Sequence, residues 1–145
     1  MTIAQHEVDA LIAELDRARQ AWISGRPSRS FAQDEDMTLF GPFGGEGVRG
    51  GTGLNPIQAA VAANFQGGAG STKVVKALIE GDMLVLVLLE KSEVMFQGRS
   101  EPHPWSLRIT EVFRRNADGA WTRMHRHADP LVKMRPLSDT LSLLA

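Results

Sequence analysis

The chain has 145 residues, 43% of them hydrophobic and 23% charged, no cysteine, and a formal net charge of −1. A chain of this length buries roughly 70% of the surface it exposes when unfolded, so residues 1–145 are expected to fold as a single domain without a disulfide or structural metal. The scattered Lys and Arg exclude a nucleic-acid footprint or a basic membrane patch, and the missing thiols exclude cysteine catalysis and thiolate metal sites.

The opening stretch MTIAQHEVDALIAEL interrupts its apolar residues with His6, Glu7, Asp9 and Glu14, unlike a signal peptide. No window offers the roughly 20 apolar residues of a membrane helix, so the expected setting is the cytoplasm, with no membrane partner. Val8, Leu11, Ile12, Leu15, Ala18 and Trp22 recur at steps of three and four, which predicts an amphipathic helix over 3–24. Thr2 and Gln5 have capping-box spacing, and Gly25 with Pro27 supplies the stop. SRSFAQ (28–33) is expected as a short second helix and DMTLF (36–40) as a strand.

Residues 41–54, GPFGGEGVRGGTGL, contain seven glycines and read as a loop. Asn55-Pro56 then restarts a helix, with Ile57, Ala60, Val61 and Phe65 as its buried stripe and Gly67-Gly68 as its end. From there the period changes to two. Strands are predicted over 72–80, 83–97, 105–115 and 120–128, with hairpin turns at Gly81-Asp82 and Asn116 to Gly119 and a longer connection in GRSEPHP. Helices followed by an antiparallel sheet define an α+β layer fold. MLVLVLL (83–89) does not alternate, so both of its faces must be covered. Helices cover one, and a second copy of the chain is the expected cover for the other, giving a homodimer through the sheet.

Gly45-Glu46-Gly47-Val48-Arg49-Gly50 matches G-x-G-x-x-G, but no helix opens within the glycine run and no parallel βαβ unit follows, so a dinucleotide site is not expected. WTRMHRHADP (121–130) holds two of the four histidines. On a strand His125, His127 and Asp129 share one face, and the period also places Arg123 there. Such a set can ligate a metal, act as an acid/base cluster, or tie down polar groups across a sheet. A cation beside the set and no second acidic cluster argue against metal, so the protein is expected to purify metal-free. A Ser-His-Asp hydrolase lacks its nucleophile elbow.

The order of elements and the run VFRRNADGAWTRMHRHADP resemble the NTF2-like superfamily over nearly the whole chain, and within it the SnoaL-like and DUF4440 proteins described as ketosteroid isomerase-like. The final strand, W-x-x-x-H-x-H from Trp121 to His127, also resembles the kinase association domain of that superfamily. The resemblance implies a cone: N-terminal helices packed on a curved antiparallel sheet, with an apolar pocket at its mouth. A small hydrophobic ligand is expected in such a pocket, and no cofactor. In the isomerase an aspartate before Pro-Val-Gly moves the steroid proton; FGPFGG places Gly41 there, and the chain has no tyrosine to serve as oxyanion donor. The isomerase reaction is therefore not expected.

The expected lining is Trp22, Phe31, Phe40, Phe43, Phe65, Trp105, Glu111, Met124 and Arg126. By the kinase-type resemblance Met124 and Arg126 point into the pocket, and Trp121, His125 and His127 point away. Arg126 would then meet an anionic ligand or Glu111; with the opposite parity His125, His127 and Asp129 would line the pocket. Catalytic candidates are Asp129, His127 and Arg126. Two functions remain open: a small-molecule binding protein, with or without a reaction, and a non-catalytic association module.

Overall fold

The computed structural model describes residues 3–27, 32–50 and 58–144. Helix α1 (Gln5–Ile23) lies on one face of a curved six-stranded sheet. The strands are β1 (Ala32–Phe40), β2 (Val48–Arg49), β3 (Phe65–Glu80), β4 (Met83–Phe96), β5 (His103–Arg115) and β6 (Trp121–Pro130), in spatial order β2-β1-β6-β5-β4-β3. Residues 58–62 are helical (α2), and α3 (Leu137–Leu143) follows the sheet. All neighbouring strands are antiparallel except β1 and β6, which run parallel.

Helix α1 forms where the three/four spacing predicts it. The expected capping residue Thr2 lies outside the described residues. The Ala4 backbone N–H donates to Glu7 Oε2 at 2.7 Å, satisfying one of the donors that a helix start leaves unpaired. Glu7 also accepts from Arg115 Nη1 at 2.7 Å, which pins the start of the helix to the end of β5. At the other end Gly25, at φ +83°, donates to the Trp22 carbonyl, and Arg26 donates to that of Ala21. That left-handed turn is a helix stop that glycine takes without a Cβ penalty.

The buried stripe Val8, Leu11 and Leu15 packs onto Leu84, Leu86 and Leu88 of β4 and Ile109 and Phe113 of β5. Each such side chain contributes about 1.5–3 kcal/mol on burial. A second cluster of Ile23, Phe65 and Val94 joins the end of α1 to the start of the sheet, with Trp22, Phe96 and Trp105 packed against it. In β4 the two faces differ as a strand requires: Leu84, Leu86, Leu88 and Val94 are buried, and Met83, Val85, Val87 and Leu89 on the opposite face are half-buried.

Several expectations are corrected. Ala32 and Gln33, read as helix, begin β1 and pair with Thr122 and Arg123 of β6; residues 28–31 lie outside the described residues. Without β1, β6 would present an unpaired edge, and that non-local demand outweighs local propensity. Val48-Arg49 within the glycine run form a two-residue strand against Thr38-Leu39, so the G-x-G-x-x-G run is part of a hairpin. Asn55, Pro56 and Ile57 lie outside the described residues. In α2 the buried residue is Ala62, not Ala60, which is exposed, and Val61 is half-buried.

Phe65 to Gly70 already belong to β3, so Gly67-Gly68 does not end a helix. A Cβ at Gly68 would run into the carbonyl oxygen of Glu93, and the register shifts between Phe65 and Gly68. Glycine here permits a β-bulge with close backbone approach.

Candidate ligand cavity

Helix α1, the loop after β1 and the inner face of the sheet enclose a cavity of about 400 Å³. Leu15, Arg19 and Trp22 line it from the helix, Pro42 and Phe43 from the loop, and Leu88, Trp105 and Leu107 from the sheet. Trp105 is the main aromatic wall. Phe43 stands against it with ring centroids 6.0 Å apart, and Phe65 and Phe96 brace it from behind at 5.2 and 5.9 Å.

Four charged side chains also line the cavity from the inner face of the sheet: Glu90 on β4, Glu111 on β5, and Arg123 and Arg126 on β6. Glu111 is fully buried, and its Oε1 accepts from both Arg123 Nη2 and Arg126 Nη1 at 2.8 Å. Arg126 Nη2 lies 3.6 Å from Glu90 Oε2, a looser contact. The Arg123 guanidinium also stands 5.4 Å from the centre of the Phe113 ring, within cation–π range.

Burial alone would push the Glu111 carboxyl up. The charges of Arg123 and Arg126, with their hydrogen bonds, outweigh burial and hold it below the usual carboxylate range. Burial works against the Arg126 cation in the same way, but Glu111 and Glu90 raise it above its ordinary value. Arg123 differs: burial outweighs its attraction to Glu111 and lowers it from its ordinary value. On the helix side Arg19 donates to Thr72 Oγ1 at 2.6 Å and pairs with Asp16 at 2.8 Å, tying α1 to β3 at the cavity wall.

A register shift between Val112 and Phe113 decides which side chains of β6 face inward. Val112 pairs with His125 and Phe113 with Arg123, leaving Met124 as the extra residue. The bulge reverses the alternation, so Arg123 and Arg126 both reach Glu111 although they are three residues apart. Arg123 is therefore not on the face of His125 and His127, where a regular strand would put it. Trp121 lies on the inner side and packs on Phe113 at 6.3 Å, the reverse of what the resemblance implied. Met124 is not among the lining residues.

His125 and His127 project from the outer face. His125 Nδ1 is 2.6 Å from Thr38 Oγ1, and Phe40 meets both imidazoles edge-on at 5.5 and 5.6 Å. Phe40 therefore serves the outer face and not the cavity. Asp129 is held by two hydrogen bonds from Arg108, each 2.8 Å, also on the outer face. The three catalytic candidates are thus separated: Arg126 lines the cavity, whereas His127 and Asp129 do not. Among the described residues no group of three or more His, Asp or Glu is placed to hold a metal ion.

Of the expected lining, Trp22, Phe43, Trp105, Glu111 and Arg126 face the cavity. Phe65 stands behind Trp105, and Phe31 lies outside the described residues. Sequence reasoning missed Glu90, Arg123, Arg19 and Thr72. Glu90 was readable, because it continues the inward parity of Leu84, Leu86 and Leu88. Arg123 was not, because its orientation depends on the bulge. At the position matched to the isomerase aspartate, Gly41 lines the cavity, and a Cβ there would meet nothing within 4 Å.

No family model and no curated protein matches the chain. Solved structures do, at the level of the fold. A putative dehydratase of the NTF2-like family from Streptomyces avermitilis aligns with a TM-score of 0.69 at 19% identity, over 88% of this chain and 95% of the other. A ketosteroid isomerase-like protein from Erwinia carotovora atroseptica gives 0.65 at 15%, over 88% and 93%. The association domain of CaMKII from C. elegans gives 0.61 at 14%, over 87% and 97%. The architecture is the NTF2-like α+β cone. Among the described residues no helix is long and apolar enough to cross a membrane.

Proposed function

We propose that the protein binds a small, largely apolar molecule by its polar end, in the cavity between α1 and the sheet, and that it works as a homodimer through the outer sheet face. The observation that carries the binding reading is the cavity itself. Its volume of about 400 Å³ lies within the roughly 300–1,000 Å³ of small-molecule sites, which combine apolar walls with a few fixed polar groups. Trp22, Phe43 and Trp105 provide the walls, and Glu90, Glu111, Arg123 and Arg126 the polar end. Within the cluster Glu90 has the looser partner, and it is the carboxylate that a reaction of the bound molecule would draw on.

The second reading, an association module without a ligand, is favoured by the apolar band Leu78, Val85 and Val112 across the outer face of the sheet and by the fold shared with the C. elegans association domain.

The test uses N-phenyl-1-naphthylamine, a neutral fluorescent probe with one N–H. Wild-type protein should bind one probe per chain. Ala18→Trp, which fills the cavity from α1, should weaken binding at least tenfold while keeping the fold by circular dichroism. Equal binding by the variant would remove the cavity from the reading. No binding by a wild-type dimer would put the association module in its place.

A further inference from the structure

Strand β6 ends at Pro130, and the chain leaves the sheet with the Leu131 N–H donating to the Ser106 carbonyl at 2.9 Å. Beyond Leu131 the large apolar side chains are uncovered: Met134 is 100% exposed, Leu137 72%, Leu141 57% and Leu144 75%. The three leucines recur at i, i+4 and i+7, so they form one stripe along α3 and the residue after it. Helix α3 has seven residues, none of them buried, and no side-chain cap. Helices shorter than about 12–15 residues are marginal in water on their own. A surface must therefore stabilise this one, and among the described residues nothing buries it.

The same molecule carries an uncovered apolar flank. Leu78 on the edge strand β3 is 46% exposed on the outer face, beside Val85 of β4, and Val75 at the neighbouring register shift is 54% exposed. We infer that residues 131–144 form an arm that crosses to a second copy of this chain and lays Leu137, Leu141 and Leu144 against the flank around Leu78. The inference rests on the dimer proposed above and extends it from the centre of the outer face to its edge.

Area supports a second copy as the occupant. At about 100 Å² for each apolar side chain, the three leucines bury roughly 300 Å² and the receiving flank of Val75, Leu78 and Val85 a similar area. A twofold arrangement makes the exchange reciprocal, since each copy has one arm and one flank. Two arms then bury on the order of 1,200 Å² in all, where the range of stable dimers begins. A single arm folded back on its own sheet would leave the centre of the outer face uncovered.

The absence of cysteine makes the test direct. Leu141→Cys and Leu78→Cys proteins, each with one thiol, are mixed and treated with a short bismaleimide. Cross-linked species of doubled mass are expected from the mixture in larger yield than from either alone. The chain truncated after Leu131, which loses no buried side chain among the described residues, should keep its fold and dimerise at least tenfold more weakly by sedimentation. If the truncated chain dimerises as tightly as wild type, the arm inference fails and the sheet-face dimer stands. If a chain carrying both cysteines cross-links only within itself, the arm lies on its own sheet and the inference fails. A wild-type monomer at micromolar concentration overturns both.

Discussion

Replacing Glu111 by glutamine keeps the shape of the side chain and removes the one charge that two buried guanidiniums share. In the native structure Oε1 of Glu111 accepts from Arg123 and Arg126 at 2.8 Å each, and among the described residues Glu90, at 3.6 Å, is the other carboxylate close to Arg126. The glutamine oxygen can still accept, but the site is left with two cations and one anion away from water. Removing one partner of a buried ion pair typically costs about 3–5 kcal/mol, because the remaining charge is uncompensated. Set against a total stability of roughly 7–15 kcal/mol for a chain of this size, that is a large fraction. At about 2–4 °C per kcal/mol, the melting temperature should fall on the order of 10 °C or more. Urea unfolding measures the loss directly, and the slope with denaturant should not change, since the surface exposed on unfolding is unaltered. A loss below about 1 kcal/mol, the range of an exposed pair, would show that Glu111 does not neutralise the arginines.

The glycines separate in the same way. Gly41→Ala should be neutral or stabilise the fold by up to about 1 kcal/mol by restricting the unfolded chain, since a Cβ there meets nothing and its φ is not positive. Gly68→Ala should lower stability by more than that, because its Cβ would collide with the Glu93 carbonyl; equal urea midpoints for the two variants would refute the bulge argument. Stability should also fall in acid. Glu111 is held low by its two arginines against the effect of burial, Asp129 by its hydrogen bonds from Arg108, and Glu7 by the Ala4 N–H and then Arg115. Carboxyls whose folded values lie below their unfolded ones, about 3.9–4.3, stabilise the protein above that range and lose the effect as pH falls through the folded values. Urea midpoints should therefore drop below about pH 4, and Glu111→Gln should flatten that acid limb; a midpoint that rises on acidification would contradict the assignment.

What the sequence disclosed and what it hid reflect the range of the forces involved. The α1 stripe and the alternation of β4 are local patterns, and the three/four and two-residue periods placed Val8, Leu11, Leu15, Leu84, Leu86 and Leu88 on the core side. Strand β1 was hidden at its start because Ala32 and Gln33 have no strand pattern of their own. They are extended because β6, ninety residues later, needs an edge partner. The arm with α3 was not foreseen: its leucine stripe is short, and nothing in the described fold buries it.

The bulge at Met124 matters most for the site, because it changes what the polar end of the cavity can accept. A regular β6 would have turned only one arginine inward and left it facing Glu111 alone. With the extra residue, two arginines meet two glutamates, and the charges cancel within the cluster. Arg126 is therefore not an unfilled cation waiting for an anion, since Glu111 already occupies the place an anionic headgroup would take. A fully charged ligand would have to give up its hydration for groups that are already paired, at a cost of several kcal/mol. A neutral hydroxyl, amide or amine would lose far less. The 3.6 Å separation between Arg126 and Glu90 exceeds hydrogen-bond length, and a group that both donates and accepts could bridge it without breaking the shorter bonds to Glu111. The proposed ligand is on this ground an apolar molecule with an uncharged polar end, and Glu90 is the side chain that end would meet.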